Sequence, residues 1–227
     1  MKFSTYILIS KVSYLIDKTL IIGHRANYSE KLREYYEEGV DGVEVDLRRC
    51  GDYICLRHGL TSHFTGPLGF FERLFSKIIL GDKWNPSKLE ELIDEFKGVL
   101  ILDIKEAGLE EDLVRIFKDR ENTFFTSFKP EVALKIRKMD KSLNVGMITR
   151  KFDETTLKFL IENELNVASV HYKAINKEWI DRCHENGITI VTWTLDDPSI
   201  AKNFVEWGID GIITNKPGLI IKSLKGY

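Results

Sequence analysis

Glu44 and Asp46 stand one residue apart in the apolar run DGVEVDL (41–47). On an extended backbone that spacing points both carboxylates to the same face. Two like charges on one face of an apolar strand are costly unless a cation or a donor network compensates them. Asp103, in VLILDI (99–104), supplies a third oxygen donor. Three carboxylates suit a hard divalent cation, Mg2+ or Ca2+, better than zinc, which prefers His and Cys. The alternative is a salt-bridge cluster with Arg48, Arg49 or Lys105. His24 follows TLIIG (19–23) and His58 follows YICLR (53–57). Two histidines beside such a cluster can divide labour, one taking a proton and one giving one, as acid–base cleavage of a phosphodiester requires. Arg25 can hold a phosphate bidentately.

These residues need a frame that brings them to one place. Nine short β-branched runs are evident: 19–23, 41–47, 53–57, 99–104, 123–127, 144–148, 166–170, 188–193 and 210–214. Amphipathic helical stretches separate most of them, several ending at a glycine suited to the left-handed C′ position, namely Gly39, Gly98, Gly187 and Gly208. Only the turn at Gly51-Asp52 is too short for a parallel crossover, so the second and third runs form a hairpin. Eight parallel positions remain, which is the count of a (β/α)8 barrel. A doubly wound open sheet is the competing architecture. It wants a Gly-rich phosphate loop after the first strand, and Gly23-His24-Arg25-Ala26-Asn27 is not one.

A barrel builds its active site at the C-terminal ends of its strands. His24, Arg25, Glu44, Asp46, Asp103, Lys105, Ser127, His171 and Trp193 all fall at such ends. The hairpin brings His58 level with residues 44–46, although the face it occupies depends on register. Ser127 lacks a G-x-S-x-G elbow and is not expected to be a nucleophile. His171 either lines the pocket or is structural; His184 is expected to be structural and His63 to lie on the surface.

Composition narrows the classes further. The chain has 227 residues, with 33 Lys+Arg against 35 Asp+Glu, which argues against a nucleic-acid binder. No apolar run reaches the roughly 18 residues of a membrane span. The N-terminal KFSTYILISKVSYLIDK is interrupted by Lys11 and Asp17 and lacks a small-residue cleavage site, so a cytoplasmic chain is expected. Three cysteines, Cys50, Cys55 and Cys183, with no C-x-x-C pair, suggest packing roles in a reducing compartment. The absence of glutamine and the 22 Lys and 20 Glu suggest a thermophile.

GHR (23–25), EEGVDGVEVDL (37–47), His58, LDIK (102–105), TSF (126–128), TWTLDD (192–197) and GIDGIITNKP (208–217) together resemble the glycerophosphodiester phosphodiesterase family, in order from about residue 19 to the C-terminus. The resemblance implies a single TIM-barrel domain over 1–227. It implies metal-dependent hydrolysis of glycerophosphodiesters to glycerol 3-phosphate and an alcohol, in lipid and glycerol metabolism. It implies His24 and His58 as the acid–base pair, and Glu44, Asp46 and Asp103 as ligands of Mg2+ or Ca2+. Arg25 and Lys105 would lie on the phosphate, with Lys105 offsetting transition-state charge, and Trp193 would wall the glycerol pocket. The chain departs from the family in three places. The P-E-N-T loop after H-R-G is shortened so that only Asn27 survives, Gly59 follows His58 in place of Asp, and Asp103 replaces Glu.

Residues 60–85 exceed a single βα link, and in the resembled family this region is a small insertion over the active site. GFFERLFSKIIL places Phe70, Phe71, Leu74, Phe75 and Ile78 on one helical face. That face either packs on the barrel or accepts an acyl chain or touches a membrane peripherally, which would give lysophospholipase D-like cleavage. A non-catalytic barrel that binds a phosphorylated ligand is the other alternative.

Overall fold

The computed structural model describes residues 18–58, Leu89 and residues 96–224. The N-terminal segment, the 60–85 insertion with its apolar helical face, His63 and most of the helical stretch at 89–98 lie outside the described residues.

Nine strands appear where the apolar runs place them: β1 (Leu20–Gly23), β2 (Gly42–Cys50), β3 (Tyr53–Leu56), β4 (Val99–Ile104), β5 (Thr123–Ser127), β6 (Asn144–Thr149), β7 (Val167–His171), β8 (Thr189–Trp193) and β9 (Gly211–Thr214). The described helices are α1 (Ser29–Glu38), α2 (Glu110–Phe117), α3 (Pro130–Met139), α4 (Glu154–Glu162), α5 (Lys177–Glu185), α6 (Pro198–Glu206) and α7 (Pro217–Leu224). The sheet runs β1-β9-β8-β7-β6-β5-β4-β2 and closes through β1–β2, with β3 antiparallel on the end of β2. This is an eight-stranded parallel (β/α)8 barrel, and the open-sheet alternative is excluded.

Alternation along each strand produces two separate apolar clusters. Ile22, Ile101, Phe124, Val167, Val191 and Ile213 fill the barrel interior. Val43, Val45, Leu100, Leu102 and their outward-facing counterparts pack against the helices. The same alternation that sends Val43, Val45 and Leu47 outward turns Glu44 and Asp46 inward. Gly23 is required by close approach, because a Cβ there would lie 2.2 Å from the Tyr35 ring. Tyr35 thereby seats α1 against β1 and donates its hydroxyl to His24 O at 3.0 Å.

Closure is uneven around the ring. β2 and β4 share six register pairs, whereas β1 and β2 share two, Ile22 with Gly42 and Gly23 with Val43. Beyond that short ladder, two main-chain bonds, Ala26 N to Glu44 O and Asp41 N to Ile21 O at 2.9 Å each, share the join with side chains. Arg25 N donates to Glu44 Oε2 at 2.8 Å, Asn27 Nδ2 donates to Asp46 Oδ2 at 2.7 Å, and Asp46 N donates to Asn27 Oδ1 at 2.9 Å.

Two expectations are corrected. Cys50 and Cys55 form a disulfide, with Cα atoms 5.8 Å apart. The turn at Gly51, with φ +67 at its first central residue, pairs Cys50 with Tyr53, so Cys55 becomes its diagonal neighbour on the same face. Only Cys183 packs as a free thiol, which burial pushes up to about 12. Gly98 does not have positive φ, unlike Gly39, Gly187 and Gly208; a Cβ at Gly98 would lie 2.7 Å from Asp41 O. The last helix, α7, follows β9 rather than separating two strands, and Pro217 at its first position is its start signal. It packs against β1, α1 and α6. No helix of the described residues is long and apolar enough to cross a membrane.

His184 is structural, as expected. Its Nε2 lies 3.0 Å from Asp210 Oδ2, which also accepts from Ile190 N at 2.7 Å. That hydrogen bond raises the imidazole above its ordinary value. A group whose folded pKa is raised contributes stability below the unfolded value, about 6.5, and loses it as pH climbs through the folded value. His184→Leu is therefore expected to lower the melting temperature more at pH 5.5 than at pH 8.5, checked by paired thermal scans. An equal loss at both values would show that the histidine contributes packing alone.

Candidate active site

The C-terminal mouth of the barrel holds a cavity of about 120 Å3 bounded by His24, Arg25, Glu44, Asp46, His58, Asp103, Lys105 and Trp193, among others. Eight of the nine residues expected at the site therefore meet at one cavity. His171 does not bound it; its ring packs edge-on to Trp193 at 5.1 Å. A larger space of about 560 Å3 lies at the opposite end, lined by Leu20, Val99, Phe124 and Asn144. It is remote from the strand ends where barrels place chemistry, and the carboxylate cluster lies elsewhere.

Glu44, Asp46 and Asp103 are 5%, 1% and 5% exposed, and each offers an oxygen within 4.8 Å of the others'. Burial, then Asp46 and Asp103, push Glu44 well above the ordinary carboxylate range. Burial likewise raises Asp103 to about 6. Burial works the same way on Asp46, but Lys105 and Asn27 outweigh it and hold that carboxyl below its usual value. Of the three cations offered by the salt-bridge alternative, only Lys105 joins the cluster, touching Asp46 Oδ1 at 2.6 Å and also Asp103 Oδ2. Arg48 turns to Glu106 at 3.5 Å and Arg49 to Asp112 at 3.0 Å. Asp103 Oδ1 is buried and has no hydrogen-bond partner among the described residues. An orphaned oxygen beside two further buried carboxylates fits a divalent cation.

His24 and His58 approach from opposite sides of the β1–β2 join. His24 Nδ1 lies 2.8 Å from Asn215 Oδ1, while Asn215 Nδ2 donates to Asp196 Oδ2 at 2.8 Å. Because that amide nitrogen is committed to a carboxylate, Oδ1 must accept, so His24 carries its proton on Nδ1. Its Nε2 then presents a lone pair to the cluster, 3.8 Å from Glu44 Oε2. Burial, foremost, lowers His24 below its ordinary value, which favours the neutral ring. His58 Nε2 accepts from Arg25 NH2 at 2.6 Å, and it too is lowered, mainly by burial. Arg25 sits at φ +54, a conformation costing a side-chain-bearing residue about 1–2 kcal/mol, and its guanidinium lies 3.9 Å from Asp46. Ser127 is buried and donates to Ile104 O at 2.7 Å, a structural role.

Four contributors escaped the sequence reading of the site. Asn215 and Asp196 lie in the TNKP and TWTLDD runs, yet nothing in their spacing shows that they orient His24. Arg150 and Phe128 bound the cavity one residue beyond β6 and β5. Reading each strand end one position further would have found both.

Fold and site define a (β/α)8 barrel with a buried carboxylate cluster and two histidines at its C-terminal mouth. The Glycerophosphoryl diester phosphodiesterase family matches residues 83–219, and the chain belongs to that family. A glycerophosphodiester phosphodiesterase of Caldanaerobacter subterraneus subsp. tengcongensis is 24% identical, covering 92% of this chain and 98% of the relative. The glycerophosphodiester phosphodiesterase of Thermotoga maritima shares the fold with a TM-score of 0.70 at 22% identity, covering 90% of this chain and 98% of that one. An Oleispira antarctica phosphodiesterase solved with the product sn-glycerol-3-phosphate gives 0.74 at 18% identity, covering 94% and 98%.

Proposed function

We propose that this protein hydrolyses glycerophosphodiesters to glycerol 3-phosphate and an alcohol with a divalent cation and two histidines. The observation that carries the reading is the meeting of Glu44, Asp46 and Asp103 with His24, His58 and Lys105 at one barrel mouth. A cation held by the three carboxylates would neutralise charge on the phosphate oxygens. Arg25 and Lys105 bind and orient the phosphodiester. His24 Nε2 takes the proton from the attacking water. When the substrate's phosphate engages Arg25, the guanidinium leaves His58, whose freed Nε2 takes up a proton from solvent and delivers it to the departing alkoxide. Trp193, held by its indole N–H on Ser169 O at 3.1 Å, walls the pocket, with His171 behind it.

Release of glycerol 3-phosphate from glycerophosphocholine and glycerophosphoethanolamine, with Mg2+, with Ca2+ and with EDTA, tests the reading. Turnover that depends on the cation supports it and ranks the two ions. No release under any condition would leave the phosphate-binding barrel in its place. The lysophospholipase D-like alternative rests on residues 60–85, outside the described residues, and has no support here.

Asn215 offers a finer test. Asn215→Leu removes the acceptor that holds the His24 tautomer while leaving both histidines in place. A tenfold or greater drop in kcat, with KM nearly unchanged, is expected from steady-state kinetics. An unchanged kcat would show that His24 needs no partner at Nδ1.

A further inference from the structure

The cations at the mouth divide into two groups. Arg25 and Lys105 are engaged by the carboxylate cluster and by His58. Arg150, immediately after β6, bounds the same cavity beside Phe128, Ile148 and Trp193, and among the described residues no hydrogen bond or ion pair engages it. In the ring order, β6 lies four strands from β1, directly across the mouth from His24 and Arg25. A phosphodiester anchored on the β1–β2–β4 side with its glycerol against Trp193 can reach Arg150 with its alcohol portion.

Charge complementarity says what should arrive there. Three carboxylates, Arg25, Lys105, a divalent cation and one phosphodiester anion together come to neutrality on the near side. Arg150 is left over, and Lys173 sits close enough that both it and Arg150 press on His171. The aromatic wall of Phe128 and Trp193, 5.7 Å apart edge to face, would suit a quaternary ammonium if it stood alone. Beside a guanidinium with no partner, a cationic headgroup is repelled instead.

Building on the phosphodiesterase reading, we propose that Arg150 anchors a second anionic group of the substrate. The favoured glycerophosphodiesters then carry a carboxylate or a phosphate on their alcohol portion.

Glycerophosphoserine and glycerophosphoethanolamine differ by one carboxylate, which makes them the matched probes. The expected result is a kcat/KM for the serine compound about tenfold above that for the ethanolamine compound, the scale of one charged hydrogen bond. In Arg150→Gln the ratio falls toward one. Arg150 is exposed, so the variant should fold, and its melting temperature checks this. Equal rates in the wild type, a preference for glycerophosphocholine, or a ratio that survives Arg150→Gln would each overturn the proposal while leaving the phosphodiesterase reading intact. Failure of the wild type to cleave any of the three would remove that reading, and this one with it.

Discussion

His58→Ala is expected to lower kcat by about 10²–10⁴, the usual contribution of a positioned acid or base, with the melting temperature close to that of the wild type. Rate and fold separate because His58 lies past the end of β3, is exposed, and belongs to neither apolar cluster. Its one described hydrogen bond comes from Arg25, which keeps its ion pair with Asp46 when the imidazole is removed. His24→Ala should be as damaging to kcat but carries a structural cost, since its ring bonds to Asn215. The informative measurement is kcat with substrates of different leaving group. A phosphodiester whose alcohol is already a good leaving group, such as a nitrophenol, needs no proton from His58. It should be cleaved by His58→Ala at nearly the wild-type rate and should remain slow with His24→Ala. The reverse pattern would exchange the two roles, and equal loss in both variants would leave no division of labour.

Asp103→Asn should remove both activity and the response to divalent cation. Asp103 brings the one buried carboxylate oxygen without a partner among the described residues, and its other oxygen is shared with Lys105. The amide keeps the volume and the Lys105 contact but loses the charge. In the wild type, saturating Mg2+ or Ca2+ should raise the melting temperature, because an ion that binds only the folded state stabilises by RT ln(1 + [L]/Kd), about 2.7 kcal/mol at a hundredfold excess over Kd. In Asp103→Asn the shift should nearly vanish. The metal-free variant should melt no lower than the metal-free wild type, because burial, foremost, and then the Asp46 carboxylate make the Asp103 charge costly in the fold. A full thermal shift in the variant would place the cation elsewhere.

How much was legible follows from how far each feature reaches along the chain. Strand runs and inward carboxylates were readable because alternation is local: Glu44 and Asp46 interrupt DGVEVDL on one face, and Asp103 does the same in VLILDI. The Gly51-Asp52 hairpin was readable for the same reason. Its consequence, the Cys50–Cys55 bridge, needed the register that pairs Cys50 with Tyr53. The orientation of His24 depends on Asn215, 191 positions away, and no local pattern announces a contact of that separation. Arg150 was missed for a different reason. An arginine after a strand looks like an ordinary surface cation until the ring order shows what it faces.

The short β1–β2 ladder has a consequence for motion. Fewer main-chain bonds hold that junction than hold β2 to β4, so it is the place where the ring would breathe first. Residues of the cavity and its support sit on both of its lips, His24, Arg25 and Asn27 on one and Glu44 and Asp46 on the other. Whatever binds the acidic residues and Arg25 together spans the gap and latches it, so occupancy of the site and integrity of the whole cylinder become a single equilibrium. Slow amide exchange along residues 25–27 and 44–46 would then report ligand at the mouth as faithfully as catalysis does.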